Sequence, residues 1–429
     1  MSELTKEQFE STSKALLEFI WDSPSPYHAV SNMAELLSAQ GYTELFENEH
    51  WELSRGHGYY VIRNGSAIIS FFVPVAPEQG YRIIASHSDS PTFRIKEDPE
   101  ILSDGKYIQL NVEAYGGMLM GTWLDRPLSV AGRVAYASEG RVFTKNVDID
   151  RDLLVIPSLA VHMDRNAKDG PKYNVQTDLL PLFGEAASKG RFRTLVAEEA
   201  GIPEDSILSW DLMLYPHNEG VLFGADNEYI MSPKLDDLQC AWTSLQGFLN
   251  GKKEQHICVH AVFDNEEVGS GTRQGAGSTF LYDVLTRMNR ALGGTDEYYL
   301  MNVADSYLLS ADNGHAVHPN HPEKADPKNR PVLNGGPVLK FAGNQKYCTD
   351  AVSAAFFREL CASQGIPVQT YMNRSDIPGG STLGNISTAQ VSALSADIGL
   401  AQLAMHSVSE VGGVKDTAYM IRAARVFYS

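Results

Sequence analysis

His256-Ile257-Cys258-Val259-His260-Ala261-Val262-Phe263 runs largely apolar and then breaks into Asp264-Asn265-Glu266-Glu267-Val268-Gly269-Ser270. The apolar run predicts a buried strand, bounded by a polar, glycine-containing turn. Two adjacent carboxylates at its C-terminal end are costly, because like charges this close disfavour joint ionisation and burial raises both pKa values further. A cation is therefore expected beside them. Neighbouring residues on an extended strand point to opposite sides, yet just past the strand end both can turn toward one crevice. One carboxylate can then bind a metal while the other handles a proton. The competing reading is a solvated loop after the strand.

The totals narrow the classes. A chain of 429 residues exceeds one ordinary core, so two domains are expected. A 43% hydrophobic and 21% charged composition is that of a globular protein in water. Without an apolar run of about 20 residues, no helical membrane span is expected. Met1-Ser2-Glu3-Leu4-Thr5-Lys6-Glu7 is polar, unlike a signal peptide. Cys240, Cys258, Cys348 and Cys361 lie far apart with no CxxC pair, which fits reduced core thiols in a cytoplasmic protein. The balance of 35 basic against 53 acidic residues gives a net charge of −18, which argues against nucleic acid or an anionic membrane as partner. An acidic substrate would have to be met by a local basic pocket.

Outward from the opening stretch, strand and helix alternate. Leu238, Ala241, Trp242, Leu245, Phe248 and Leu249 form a helical stripe before the strand 256–263. Further strands are expected at about 299–304 and at 391–396, and a closing helix at Thr417 to Phe427. Toward the N-terminus, helices are expected over 5–21 and Tyr27 to Gln40. The segments 58–63 and 66–73 flank Asn64-Gly65, a two-residue hairpin signal, and the strand 81–86 ends at His87. Between about 92 and 228, short alternating segments such as 107–112 and 128–134 suggest a β-rich unit. The expected class is therefore α/β, with residues 1–91 and 229–429 interrupted by a β-rich insertion at 92–228.

Carboxylates and imidazoles at strand ends are what borderline cations want. His87-Ser88-Asp89 follows one strand, and Asp89 stands where a carboxylate can orient the imidazole. Asp236 begins the striped helix, where it is also a favoured N-cap residue. Asp312 lies in Ser310-Ala311-Asp312-Asn313-Gly314-His315-Ala316-Val317-His318, with Asp305, His315 and His318 as rival candidates. His406 lies in Ala404-Met405-His406-Ser407, where a satisfied core histidine is the alternative. The order His, Asp, Glu-Glu, Asp, His suits two open metal sites sharing one carboxylate, the arrangement of cocatalytic hydrolysis.

These segments, together with Ser23-Pro24-Ser25-Pro26-Tyr27-His28-Ala29-Val30 and Trp123-Leu124-Asp125-Arg126-Pro127-Leu128, resemble the aspartyl aminopeptidase family of dinuclear zinc exopeptidases over nearly the whole chain. The resemblance implies a three-layer α/β/α sandwich interrupted by an insertion that dimerises and helps build a tetrahedral dodecamer. It implies zinc held by His87, Asp236 and Asp312, and a second zinc held by Asp236, Glu267 and His406, with cobalt or manganese as substitutes. It favours Asp312 over Asp305 and implies a cis peptide at Asp236-Asp237. It also implies substrate contacts from His315, Tyr347 and Lys340, the last meeting an acidic first side chain, and His162 reaching a neighbouring subunit's active site. Taken alone, Lys340 reads rather as a snorkelling strand-end lysine.

Two metals make a water acidic enough for a carboxylate to take its proton, so Glu266 is expected as general base and then acid. The expected activity is release of N-terminal Asp or Glu from peptides in the cytoplasm. The alternatives are a dinuclear aminopeptidase preferring neutral or basic residues, and an inert assembly scaffold. Pro378-Gly379-Gly380-Ser381-Thr382-Leu383-Gly384 lacks the lysine of a phosphate loop and is read as a wall of the substrate pocket.

Overall fold

The computed structural model describes residues 4–76, 79–164, 170–377 and 379–429, which leaves Pro378 of the glycine-rich segment outside the described residues. A nine-stranded sheet runs in the order Thr43–Glu44, His57–Arg63, Ala67–Val73, Ile257–Phe263, Tyr81–His87, Tyr307–Ala311, Leu394–Gly399, Val338–Phe341, Gln369–Met372. Ile257–Phe263, Tyr81–His87, Tyr307–Ala311 and Leu394–Gly399 are neighbours and mutually parallel. Every residue of Ile257–Phe263 is buried, as a strand covered on both faces requires.

The pleat sends alternate side chains to two separate cores. Ile84, Cys258, Val262 and Leu309 join Phe9, Ala29, Leu238, Phe357 and Ala418 of the helices on one face. Ile83, Ala85, Val259, Ala261 and Leu308 join Phe280, Tyr299 and Leu383 on the other. The result is helix, sheet and helix in three layers. Within helix Leu235–Asn250, Leu238, Leu245 and Phe248 are at most 1% exposed, and truncating such a phenylalanine to alanine costs about 3–5 kcal/mol.

A six-stranded antiparallel sheet draws its strands from Thr92–Ser103, Tyr107–Tyr115, Leu128–Ser138, Arg141–Asp148, Leu182–Glu185 and Ile207–Pro216. Its own core is built on Phe93, Leu110, Trp123, Val130, Phe192 and Leu212. A third sheet, Val221–Phe223, Tyr229–Ser232, Glu410–Gly413, Ala401–Leu403 and Gly314–His315, has strands of two to four residues, too short for a periodic pattern. The four cysteines are unpaired, and no helix among the described residues is long and apolar enough to cross a membrane.

Two local expectations fail. The segment 299–304 is helical, within Asp296–Ala304. Thr295 caps it, accepting the Tyr298 N–H at 3.1 Å, and Asp296 and Glu297 favour the helix N-terminus electrostatically. Only Tyr299, Asn302 and Val303 are buried, a helical spacing hidden in an apolar stretch. The strand is the next segment, Tyr307–Ala311, buried throughout. The hairpin pairs Arg63 with Ala67, so its loop has three residues, with Asn64 and Gly65 at φ 57° and 70°.

Candidate active site

Three adjacent parallel strands deliver side chains to one crevice beyond their carboxyl ends, where open α/β sheets bind ligands. His87 ends Tyr81–His87, Asp312 follows Tyr307–Ala311, and Glu266 and Glu267 follow Ile257–Phe263 on a short 3-10 turn. Asn265 at φ 60° swings that turn over the strand ends.

Asp236 stands between two imidazoles, one oxygen toward each. Its Oδ1 is 3.4 Å from His87 Nε2, and its Oδ2 is 3.3 Å from His406 Nε2. His406 Nε2 is also 3.4 Å from Glu267 Oε2. Asp236 is no N-cap: its φ and ψ of −85° and 106° are non-helical, Lys234 holds the cap position, and the Asp236-Asp237 peptide is cis. His406 is 32% exposed, unlike a sealed core histidine. Asp305 caps the C-terminus of helix Asp296–Ala304, at the opposite end of the sheet from Asp312. His318 faces solvent and packs against the His321 ring.

Ligand atoms of His87, Asp236 and Glu267 lie within 4.8 Å of one another, and so do those of His87, Asp237 and Asp312. Asp237 escapes the sequence reading, although Asp236-Asp237 is a second adjacent-carboxylate pair like Glu266-Glu267. The crevice is short of positive charge. Asp89, Asp236, Asp237, Glu267, Asp312 and Glu410 crowd it, and among the described residues Lys340 and the imidazoles of His87 and His406 stand beside them. Burial pushes Glu267 and Asp237 well above the carboxylate range, Glu266 to about 7 and Asp312 to about 6. Burial acts on Asp236 too, but the imidazoles of His406 and His87 outweigh it and hold that carboxyl below the usual range. Asp236 Oδ1, Asp237 Oδ1 and Glu267 Oε1 are buried without a hydrogen-bond donor among the described residues. Orphaned oxygens of this kind, beside imidazole nitrogens, fit zinc.

Two further carboxylates hold the ligands by their backbones. Asp89 accepts the N–H groups of Glu266 and Glu267, at 3.1 Å each, and the Tyr115 hydroxyl at 2.6 Å. His87 Nδ1 lies 3.0 Å from the Asp89 carbonyl oxygen and 3.4 Å from its carboxylate. The expected imidazole contact is therefore made first by the main chain. Glu410 accepts the N–H groups of His406 and Asp236. Sequence reasoning misses Glu410, because nothing local marks a glutamate four residues after His406.

Lys340 is 1% exposed, and its Nζ donates to the Asp312 and Asn313 carbonyls at 2.7 and 3.3 Å. It also lies 3.8 Å from Asp312 Oδ2 and 5.3 Å from the centroid of the Tyr347 ring. Burial opposes its charge, but Asp312 and its neighbours raise its pKa above the ordinary value. His315 and Tyr347 each stand 6.3 Å, ring to ring, from Tyr371. His162 sits on an exposed turn, and no hydrogen bond among the described residues ties it to this cluster.

A family model described as aminopeptidase I zinc metalloprotease, peptidase M18, matches residues 19–428. A probable M18 family aminopeptidase 2 of Clostridium acetobutylicum is 43% identical over 425 residues, covering 97% of this chain and 98% of that protein. Among solved structures, the cryo-EM complex of Ape4 and Nbr1 matches with 34% identity and a TM-score of 0.95, covering 100% of this chain and 87% of that chain. The mApe1 dodecamer of S. cerevesiae matches with 28% identity and a TM-score of 0.86, covering 98% and 97%.

Proposed function

The chain belongs to the peptidase M18 family of zinc aminopeptidases, and from that premise we propose that it releases N-terminal aspartate and glutamate from peptides at a two-zinc centre. The observation that carries this reading is Asp236, one oxygen turned toward His87 and the other toward His406. His87, Asp236 and Asp312 would hold one zinc; Asp236, Glu267 and His406 the other. Zinc, when bound, supplies the Lewis-acid charge that makes water a nucleophile near neutral pH.

The remaining steps fall to the chain's own groups. Glu266 is half-buried, and burial raises its pKa to about 7. It can therefore take a proton from the attacking water at its carboxylate and return it to the leaving amine. Asp89 fixes the turn that carries it. Lys340 with Tyr347 and His315 would meet the first residue's carboxylate, the local positive charge that a chain of net charge −18 needs for an acidic substrate.

Leu159, Val161 and Met163 are 60%, 51% and 75% exposed around His162. Apolar surface of this kind marks a contact, which supports a homo-oligomer, a dodecamer like that of the mApe1 relative, in which His162 reaches the neighbouring subunit's site. The six-stranded unit, residues 92–228 in round terms, would supply that contact, with residues 1–91 and 229–429 the catalytic part. The low-cysteine, unpaired composition suits a cytoplasmic setting.

A panel of aminoacyl chromogenic substrates with metal analysis tests the reading. Two zinc per chain and fastest cleavage of Asp and Glu are expected. Faster cleavage of Leu or Lys substrates would overturn the acidic preference, and one metal per chain the paired centre.

A further inference from the structure

We propose that the open groove beside His315 receives the peptide downstream of the scissile bond and selects carboxylates there through Lys324 and Arg330. The proposal rests on the aminopeptidase activity and not on which first residue is removed.

His315 and Ala404, the latter two residues before His406, line the groove together with Tyr371, Lys324 and Arg330. The groove offers a cavity of about 510 Å³, more than one side chain fills. Lys340 and Tyr347 are not among those walls, and the Tyr371 ring lies between the groove and Tyr347. The enclosure at Lys340 suits the first residue of a peptide, and the open groove suits the second and third.

The charge along this groove is unbalanced in one direction. Arg374 is matched by Asp376 at 2.8 Å, and His321 by Glu323 at 3.2 Å. Asp326 turns its carboxylate onto its own loop, accepting the N–H groups of Lys328 and Asn329 at 2.9 and 2.7 Å. Lys324 and Arg330 are exposed, and neither has a carboxylate within 4 Å among the described residues. In a protein with 53 acidic residues, two exposed cations with no close ion pair among the described residues, on a groove that also has His315 in its wall, are a selective feature, although Asp326 acts on Arg330 and Glu323 and Asp376 on Lys324 from farther away. A carboxylate reaching them can come from an acidic side chain at the second or third peptide position, or from the C-terminus of a short peptide.

The test holds the first residue constant, as the one the enzyme cleaves fastest, and varies positions two and three among Glu, Ala and Lys in amidated tetrapeptides. The wild-type enzyme should favour Glu over Ala by roughly fivefold or more in kcat/KM, chiefly through KM, with the preference shrinking as salt rises. Matched tripeptides with free and amidated C-termini read the second source of the carboxylate. In a Lys324→Ala/Arg330→Ala enzyme the wild-type preference should fall toward one, and Lys324→Glu/Arg330→Glu should turn it toward Lys. Each ratio is taken within one enzyme preparation, so differences in folding yield cancel, and the alanine pair alone suffices if the glutamate pair fails to fold. A wild-type ratio near one in both peptide series, or a ratio unmoved by the alanine pair, would overturn the proposal.

Discussion

The Glu410 carboxylate receives the backbone N–H of His406 at 2.6 Å, and its other oxygen receives that of Asp236 at 2.9 Å. One side chain, 2% exposed, thus sets the spacing between two proposed zinc ligands that are far apart in sequence. Glu410→Gln keeps the volume but turns an amide NH2 toward one of those N–H groups. Because partners of this kind typically tune affinity by about 10–100-fold, zinc affinity should weaken by about that factor, measured by chelator competition. An unchanged affinity would mean that Glu410 merely fills space.

Glu266 and Glu267 are neighbours with opposite expected signatures. Glu266→Gln should lower kcat by about 10²–10⁴ while zinc content stays near that of the wild type. Glu267→Ala removes a side chain 3.4 Å from His406 and should lose metal first and activity in consequence. Metal analysis beside kinetics separates them. A kcat in the glutamine variant close to that of the wild type would remove Glu266 from its role.

The contrast between these residues marks what the chain discloses. His87 and Glu266-Glu267 are legible because each stands at the end of an apolar strand, and strand ends of a parallel sheet converge. Asp312, Asp236 and His406 need the resemblance, since Asp312 has rivals in Asp305, His315 and His318 and its strand is misplaced at 299–304, while a helix start and a loop have bland alternatives. The clamps by Asp89 and Glu410 are not legible, because they act on backbone N–H groups that no residue pattern encodes. The same holds for Asp296–Ala304, whose capping Thr295 decides a segment that strand propensity alone misreads.

His260 gives the fold an acid limit. It is wholly buried, with Nε2 3.1 Å from the Ala241 carbonyl oxygen and its ring stacked on Phe248. Burial pushes its pKa down to about 4. A histidine whose folded pKa lies below its unfolded value of about 6.5 stays neutral in the fold. Its contribution is intact above that value and is lost as pH falls toward 4, by about 1.4 kcal/mol per unit inside the window. His260→Gln should be less stable at pH 7.5 yet lose less on acidification. Parallel Tm-against-pH curves for the two proteins would rule this out.

Gly399 ends the strand Leu394–Gly399 against the proposed ligand Asp312. A Cβ there would lie 1.8 Å from the Asp312 carbonyl oxygen and 2.7 Å from its carbonyl carbon, both backbone atoms that cannot rotate away. That same oxygen accepts the Lys340 ammonium at 2.7 Å. Gly399→Ala must therefore displace the main chain carrying Asp312 and loosen Lys340 with it. Overpacking of this kind costs about 1–3 kcal/mol, and the loss should fall on zinc retention as well as on Tm. Gly343→Ala, where nothing lies within 4 Å of the added carbon, is the control. Equal Tm and equal zinc content in the two variants would show that the strand end yields without moving Asp312.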